Sequence, residues 1–118
     1  MVALIKALHH VLLAAPAGSE PLLREFYVGV LGLREVPKPP ELAARGGAWF
    51  RGEGVEVHLG IEDDFRPARK AHPAFLVDDL DAFAARLPDA VPDDLFPGFR
   101  RIYITDPVGN RIELLQSV

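Results

Sequence analysis

The sequence predicts an α+β fold, two βαβββ modules forming one curved mixed sheet, and three observations predict it. Short apolar runs with strand-like alternation recur in the same order in both halves of the 118 residues. One amphipathic helix pattern follows the first strand of each half. Polar residues of one chemical kind then stand at matching places: His10 and His72 open the first strand of each half (72 − 10 = 62), and His58 and Glu113 lie in the last (113 − 58 = 55). A chain that repeats itself sets equivalent residues about a pseudo-two-fold axis, so these four can converge on one point. Imidazole nitrogens and a carboxylate are ligands for first-row divalent ions.

In the first half, residues 7–15 read as a buried strand. Ser19 is placed as a helix N-cap, with Glu20 and Pro21 in the first turn. Leu22, Leu23, Phe26, Tyr27 and Val30 recur at spacings of three and four, and Gly32 suits the helix end. A strand over 33–37 leads into a Pro- and Ala-rich loop, and 47–51 with 55–61 form a hairpin across Gly52-Glu53-Gly54. The polar stretch 62–70 joins the halves. The second half repeats the order: strand 72–77, helix 80–87 capped by Asp78 or Asp79, a short strand at 90–93, then strands 100–105 and 111–116. Asp106-Pro107-Val108-Gly109-Asn110 between the last two is a turn by its chemistry. One domain over 1–118 is expected, with modules at about 7–62 and 71–117. Neither module can bury its sheet alone.

Composition narrows the function classes. A formal charge of −4 without a basic face argues against nucleic acid as partner. No run reaches the roughly 18 apolar residues of a membrane span. The absence of cysteine excludes disulfides, thiolate ligands and thiol nucleophiles, and a cytoplasmic location is the default expectation.

Strand alternation then assigns faces. With His10 inward, Leu12 and Ala14 follow it. His58 brings Glu56, and Glu113 brings Arg111 and Leu115. Arg101 and Tyr103 face the cup, opposite Ile102 and Ile104, and Trp49 faces it opposite Phe50. The expected cup is His10, Trp49, Glu56, His58, His72, Arg101, Tyr103 and Glu113. Trp49, Glu56, Arg101 and Tyr103 are its substrate-binding candidates, suited to a small anionic or oxygen-rich molecule. The alternative for Arg101 is a salt bridge to Glu56 or Glu113. His9 reads as a structural or surface residue.

Four segments carry a resemblance over essentially the whole chain: His10-Val11-Leu12-Leu13; Glu25-Phe26-Tyr27-Val28-Gly29-Val30-Leu31-Gly32-Leu33; His72-Pro73-Ala74-Phe75; and Tyr103-Ile104-Thr105-Asp106-Pro107-Val108-Gly109-Asn110-Arg111-Ile112-Glu113. With these the chain resembles the vicinal oxygen chelate superfamily of glyoxalases, fosfomycin-modifying transferases, extradiol dioxygenases and bleomycin-resistance proteins. The resemblance implies a glyoxalase-like cup, a homodimer, and a divalent ion (Ni, Zn, Mn, Co or Fe) at His10, His72 and Glu113. It puts His58 where glyoxalase I has a fourth ligand, usually glutamate, and Tyr103 near a substrate-side tyrosine of the transferases.

The leading expectation is therefore a glyoxalase I-like lyase or isomerase acting on a small oxygenated metabolite. The metal serves as Lewis acid, with His58 or Glu113 as general base. If His58 does not ligate, two histidines and a carboxylate match an Fe(II) triad and extradiol-type ring cleavage. The competing class is a metal-free, bleomycin-resistance-like protein that sequesters a small molecule or antibiotic on Trp49, Tyr103 and Phe96.

Overall fold

The computed structural model describes residues 2–118. Two four-stranded mixed sheets carry the chain. Sheet A contains β1 (Val11–Ala15), β2 (Arg34–Val36), β3 (Ala48–Gly52) and β4 (Val55–Ile61) in the order β1-β4-β3-β2. Sheet B contains β5 (Ala74–Leu76), β6 (Val91–Asp93), β7 (Phe99–Thr105) and β8 (Arg111–Ser117) in the equivalent order β5-β8-β7-β6. In each sheet the first strand pairs parallel with the last, and the remaining pairs are antiparallel. The parallel pairing requires a crossover, which the helices supply.

Alternation along the strands decides what is buried. Leu13 and Ala15 of β1, Phe50 of β3, Val57 and Leu59 of β4, Ile102 and Ile104 of β7, and Ile112 and Leu114 of β8 all enter one continuous core. Leu23, Phe26 and Tyr27 from the helical crossover and Leu80 from α3 (Leu80–Arg86) cover it. The opposite strand faces carry the polar residues, as alternation requires.

Several elements differ from the sequence reading. The first strand begins at Val11, because residues 2–10 have no partner strand and stay exposed. Ser19 stands at the N-cap of α1 (Glu20–Arg24) without capping it; its hydroxyl donates to the Pro16 carbonyl at 2.6 Å. Beyond Arg24 the helix widens into a π-helical segment (Glu25–Val30), where Leu31 N–H donates to the Phe26 carbonyl. Gly32 then ends it with φ 78°, as expected. The Pro- and Ala-rich loop contains a helical turn, α2 (Pro40–Ala43), because Pro40 pre-sets φ at its first position. Asp79, not Asp78, caps α3 by accepting from Ala82 N–H at 3.1 Å.

Gly47 shows how tightly loop and sheet meet. Its φ is 82°, and a Cβ there would stand 2.1 Å from the Leu59 carbonyl oxygen. Its N–H donates to Glu20 Oε2 at 2.9 Å, tying α1 to the start of β3.

The turn between β7 and β8 joins the two halves. The Asp106 carboxylate accepts from Val108 N–H, Asn110 N–H, the Asn110 amide and the Tyr27 hydroxyl, the last at 2.7 Å. The fully buried Asn110 side chain donates to the Ala14 carbonyl of β1 at 2.8 Å and accepts from Ala68 N–H at 3.0 Å. Burial, and then the neighbouring Asp106 carboxylate, push the Tyr27 phenol well above its usual range, so it stays a donor. Replacing Asn110 by Ala strands buried partners on three segments. The expected loss is about 2–4 kcal/mol of unfolding free energy, read by urea denaturation with Trp49 fluorescence.

Candidate active site

Two polar clusters line the open strand faces, one on each sheet. On sheet A, register sets Trp49 and Leu12 on either side of His58. The His58 ring lies between two others: Trp49 is 4.0 Å away at 5°, and His10 is 3.9 Å away at 17°. His58 is 5% exposed, whereas His10, just ahead of β1, is open to solvent. His58 Nε2 lies 2.7 Å from Glu56 Oε2, and Arg51 Nε donates to Glu56 Oε1 at 2.6 Å. Arg51 first, and His58 second, hold the Glu56 carboxyl down at about 2. Partial desolvation and the neighbouring His58 and His9 lower His10, while Glu56 opposes them. His9 Nδ1 is 2.9 Å from His10 Nδ1. The face opens into a hollow of about 730 Å³ bordered by Trp49, His58, His10, Leu42 and Arg45.

On sheet B, Glu113 stands opposite Tyr103 on one side and Ala74 on the other. His72, two residues before Ala74, shares that face. Its Nε2 is 2.9 Å from Glu113 Oε1, and its Nδ1 is 2.7 Å from the Lys70 carbonyl. Arg101 Nη1 donates to Glu113 Oε2 at 3.2 Å, and its Nη2 lies 3.3 Å from Asp93 Oδ1. Its Nε is buried without a partner among the described residues. Tyr103 packs edge-on to His72 at 5.6 Å and lies between two guanidinium groups, Arg101 at 5.1 Å and Arg111 at 4.0 Å.

The eight residues expected to share one cup thus fall into two sets: His10, Trp49, Glu56 and His58 on sheet A, and His72, Arg101, Tyr103 and Glu113 on sheet B. Each set is internally joined. Among the described residues no three histidine, aspartate or glutamate side chains converge as an ion would require. Arg101 takes the salt bridge to Glu113. Phe96 packs on Phe99 at 4.8 Å, with Arg101 5.5 Å from its ring. Arg111 was expected to accompany Glu113 on the open face but was not counted among the site residues, and Arg51 and Asp93 were not placed in the site from sequence. Arg51 shares strand parity with Trp49, so alternation places it on the open face. Asp93 is found only through its cross-strand register with Arg101.

The family profile described as Glyoxalase/Bleomycin resistance protein/Dioxygenase superfamily matches residues 7–114. The chain belongs to this superfamily. A glyoxalase family protein from Bacillus anthracis is 42% identical over 100% of both chains, with a TM-score of 0.94. The antibiotic binding protein TnmS3 from Streptomyces sp. CB03234 is 25% identical, covering 97% of this chain and 99% of its own, at TM-score 0.66. Lactoylglutathione lyase from Agrobacterium tumefaciens is 22% identical, covering 97% and 96%, at TM-score 0.70; that likeness is one of fold. No curated protein matches the sequence. The superfamily contains both enzymes and binding proteins, so membership fixes the architecture and leaves the chemistry to the side chains. No helix among the described residues is long and apolar enough to cross a membrane.

The Arg51–Glu56–His58 chain has a measurable consequence. Folding lowers the Glu56 carboxyl from 4.5 to about 2, so the unfolded state binds its proton more readily. The resulting stabilisation is complete above pH 4.5 and is lost as pH falls toward 2. The stability gap between the parent and Glu56→Gln is expected to narrow over that window in urea titrations. A gap that stays constant with pH would show that Glu56 does not carry this pairing.

Proposed function

We propose that the protein is a metal-dependent, glyoxalase-like enzyme of lyase or isomerase type acting on a small oxygenated metabolite, with His10, His58, His72 and Glu113 as the metal-holding residues. The His72–Glu113 pair carries the reading. A neutral imidazole has one N–H, yet both ring nitrogens of His72 face oxygen acceptors, Lys70 O and Glu113 Oε1. Donation from Nδ1 to the carbonyl leaves an Nε2 lone pair 2.9 Å from a carboxylate oxygen. That is the spacing of adjacent ligands on one ion, about 3 Å for bonds of roughly 2.1 Å.

The sheet A pair fits by donor type, and one ring has to turn. An imidazole binds an ion in its own plane, and the stacked planes of His10 and His58 share no point within reach of both. His10 is exposed and lies ahead of the strand, so it is the ring free to rotate. Trp49 and Glu56 hold His58 in place.

A divalent ion bound there supplies Lewis acidity toward substrate oxygens. The protein's own groups do the rest. Glu56, kept ionised by Arg51, orients His58 through Nε2 and leaves Nδ1 for the site. Glu113 and His58 are the proposed groups that move the substrate proton. Arg101, at the Glu113 carboxylate, is the proposed contact for substrate oxygen, with Tyr103 and Trp49 as walls.

We further propose that two copies of the chain complete each site. The pairs lie on different sheets, and β1 and β5, the strands that follow His10 and His72, are edge strands. Leu12 on β1 is 65% exposed and Leu76 on β5 is 72% exposed, apolar surface suited to a second copy. A His10→Ala/His58→Ala variant and a His72→Ala/Glu113→Gln variant should each lose metal measured by elemental mass spectrometry. Unfolded and refolded together, they should recover about a quarter of the parent's content, since only mixed dimers hold one intact site. Full metal retention in either variant would overturn the ligand assignment, and no recovery on mixing would place the site within one chain.

A second reading has one observation in its favour. The Trp49–His58–His10 stack borders the 730 Å³ hollow, a surface suited to planar ligands. A protein that takes up no metal and binds such a ligand with Trp49 fluorescence quenching would be a binding protein.

A further inference from the structure

We propose that Arg111 and Arg69 form an oxyanion subsite on the open face of sheet B, taking a carboxylate or phosphate group of the same small molecule. The inference rests on the reading above for what lies beside it. Its own evidence is separate.

A hollow of about 460 Å³ opens beside Tyr103, bordered by Arg69, Thr105, Gly109 and Arg111, with Asp89 also on its wall. Four arginines of the chain, Arg24, Arg51, Arg100 and Arg101, are paired to carboxylates. Among the described residues neither Arg111 nor Arg69 has such a partner. The wall therefore holds two cationic groups against one carboxylate, in a protein whose formal charge is −4. A positive excess retained on an acidic protein favours an anion locally.

The fork of Arg111 is already fixed. Its guanidinium lies 4.0 Å over the Tyr103 ring, and stacking uses the face of the group, not its N–H edges. Nη1 donates to the Arg69 carbonyl at 3.3 Å, and the backbone N–H of Arg111 donates to the Ala68 carbonyl at 2.8 Å. Ala68 N–H in turn donates to the Asn110 side chain. These bonds set residue 69 beside the fork, with the remaining N–H edges available for bidentate contact. The Thr105 hydroxyl, across the register from Arg111 and exposed, is a third donor.

Position gives the chemical class. Arg111 and Glu113 lie two apart on one face of β8, and Tyr103 stands between the Arg111 fork and His72. A molecule reaching both places carries its anionic group apart from its reacting oxygens, separated by the length of Tyr103. Arg101 stays with Glu113, and Arg111 reads the distant charge.

The test is a titration of the metal-free protein, in chelator at constant ionic strength, with inorganic phosphate and separately with acetate, followed by ¹H–¹⁵N NMR. Saturable shifts are expected at Thr105, Gly109 and Arg111. Arg111→Gln should weaken binding at least tenfold, Arg69→Gln several-fold, and Arg100→Gln not at all. Phosphate binding more tightly than acetate points to a phosphorylated substrate, and the reverse to a carboxylate. Shifts that rise without saturation, or that persist unchanged in both Arg111→Gln and Arg69→Gln, overturn the subsite. Arg69 lies on an exposed segment, so its variant remains informative if Arg111→Gln misfolds. Because no metal is present, this outcome is independent of whether the ligand assignment stands.

Discussion

The buried cluster at Asp106, Asn110 and Tyr27 is the interaction on which the arrangement of this protein depends. Two four-stranded sheets, each with an open polar face, have little reason to hold a fixed relation through edges alone. The turn between β7 and β8 supplies one. Its aspartate gathers four donors, one of them a phenol from the other half, and its asparagine reaches the backbone of β1 and of the joining segment. Buried polar groups tolerate only full satisfaction, so this network accepts one relative placement of the halves. The common core beneath then packs from both sides.

That placement leaves each half of the candidate site complete in itself and short of the other. His58 is wedged between Trp49 and His10, and its carboxylate partner is in turn neutralised by Arg51. Glu113 is divided between His72 and Arg101. Both clusters are therefore networks of paired charge in which each group is oriented by its neighbour. Such supporting contacts hold catalytic or binding side chains in a narrow range of positions. Arg111 lies outside these networks and, like Arg69, has no carboxylate partner among the described residues.

Much of this was legible in the residues themselves. Alternation assigned Leu12, Glu56, Arg101, Tyr103 and Trp49 to the open faces and Phe50, Ile102 and Ile104 to the core, since side chains on a strand have only two directions. The turn chemistry of residues 106–110 was equally plain. Local signals failed where another partner competed. Ser19 has the identity of a cap, but a nearby carbonyl takes its hydroxyl. The helix of residues 20–30 was read at a single pitch, yet its second half widens as Phe26 and Tyr27 enter the core. Residues 7–10 were read as part of the first strand, and no described strand pairs with them.

The sequence by itself determined the α+β class, the repeated order of elements and the facing of the named strand residues, which follow from periodicity and turn chemistry and are local; the superfamily was carried by the resemblance of four segments. Only the tertiary structure decided that the four candidate ligands form two pairs on separate sheets. It also decided that Arg101 is taken by Glu113 and Asp93, and that Arg111 stacks on Tyr103. Face and parity are fixed by the bond geometry of a strand. The distance between two faces depends on how separate sheets dock, and no spacing along the chain encodes that.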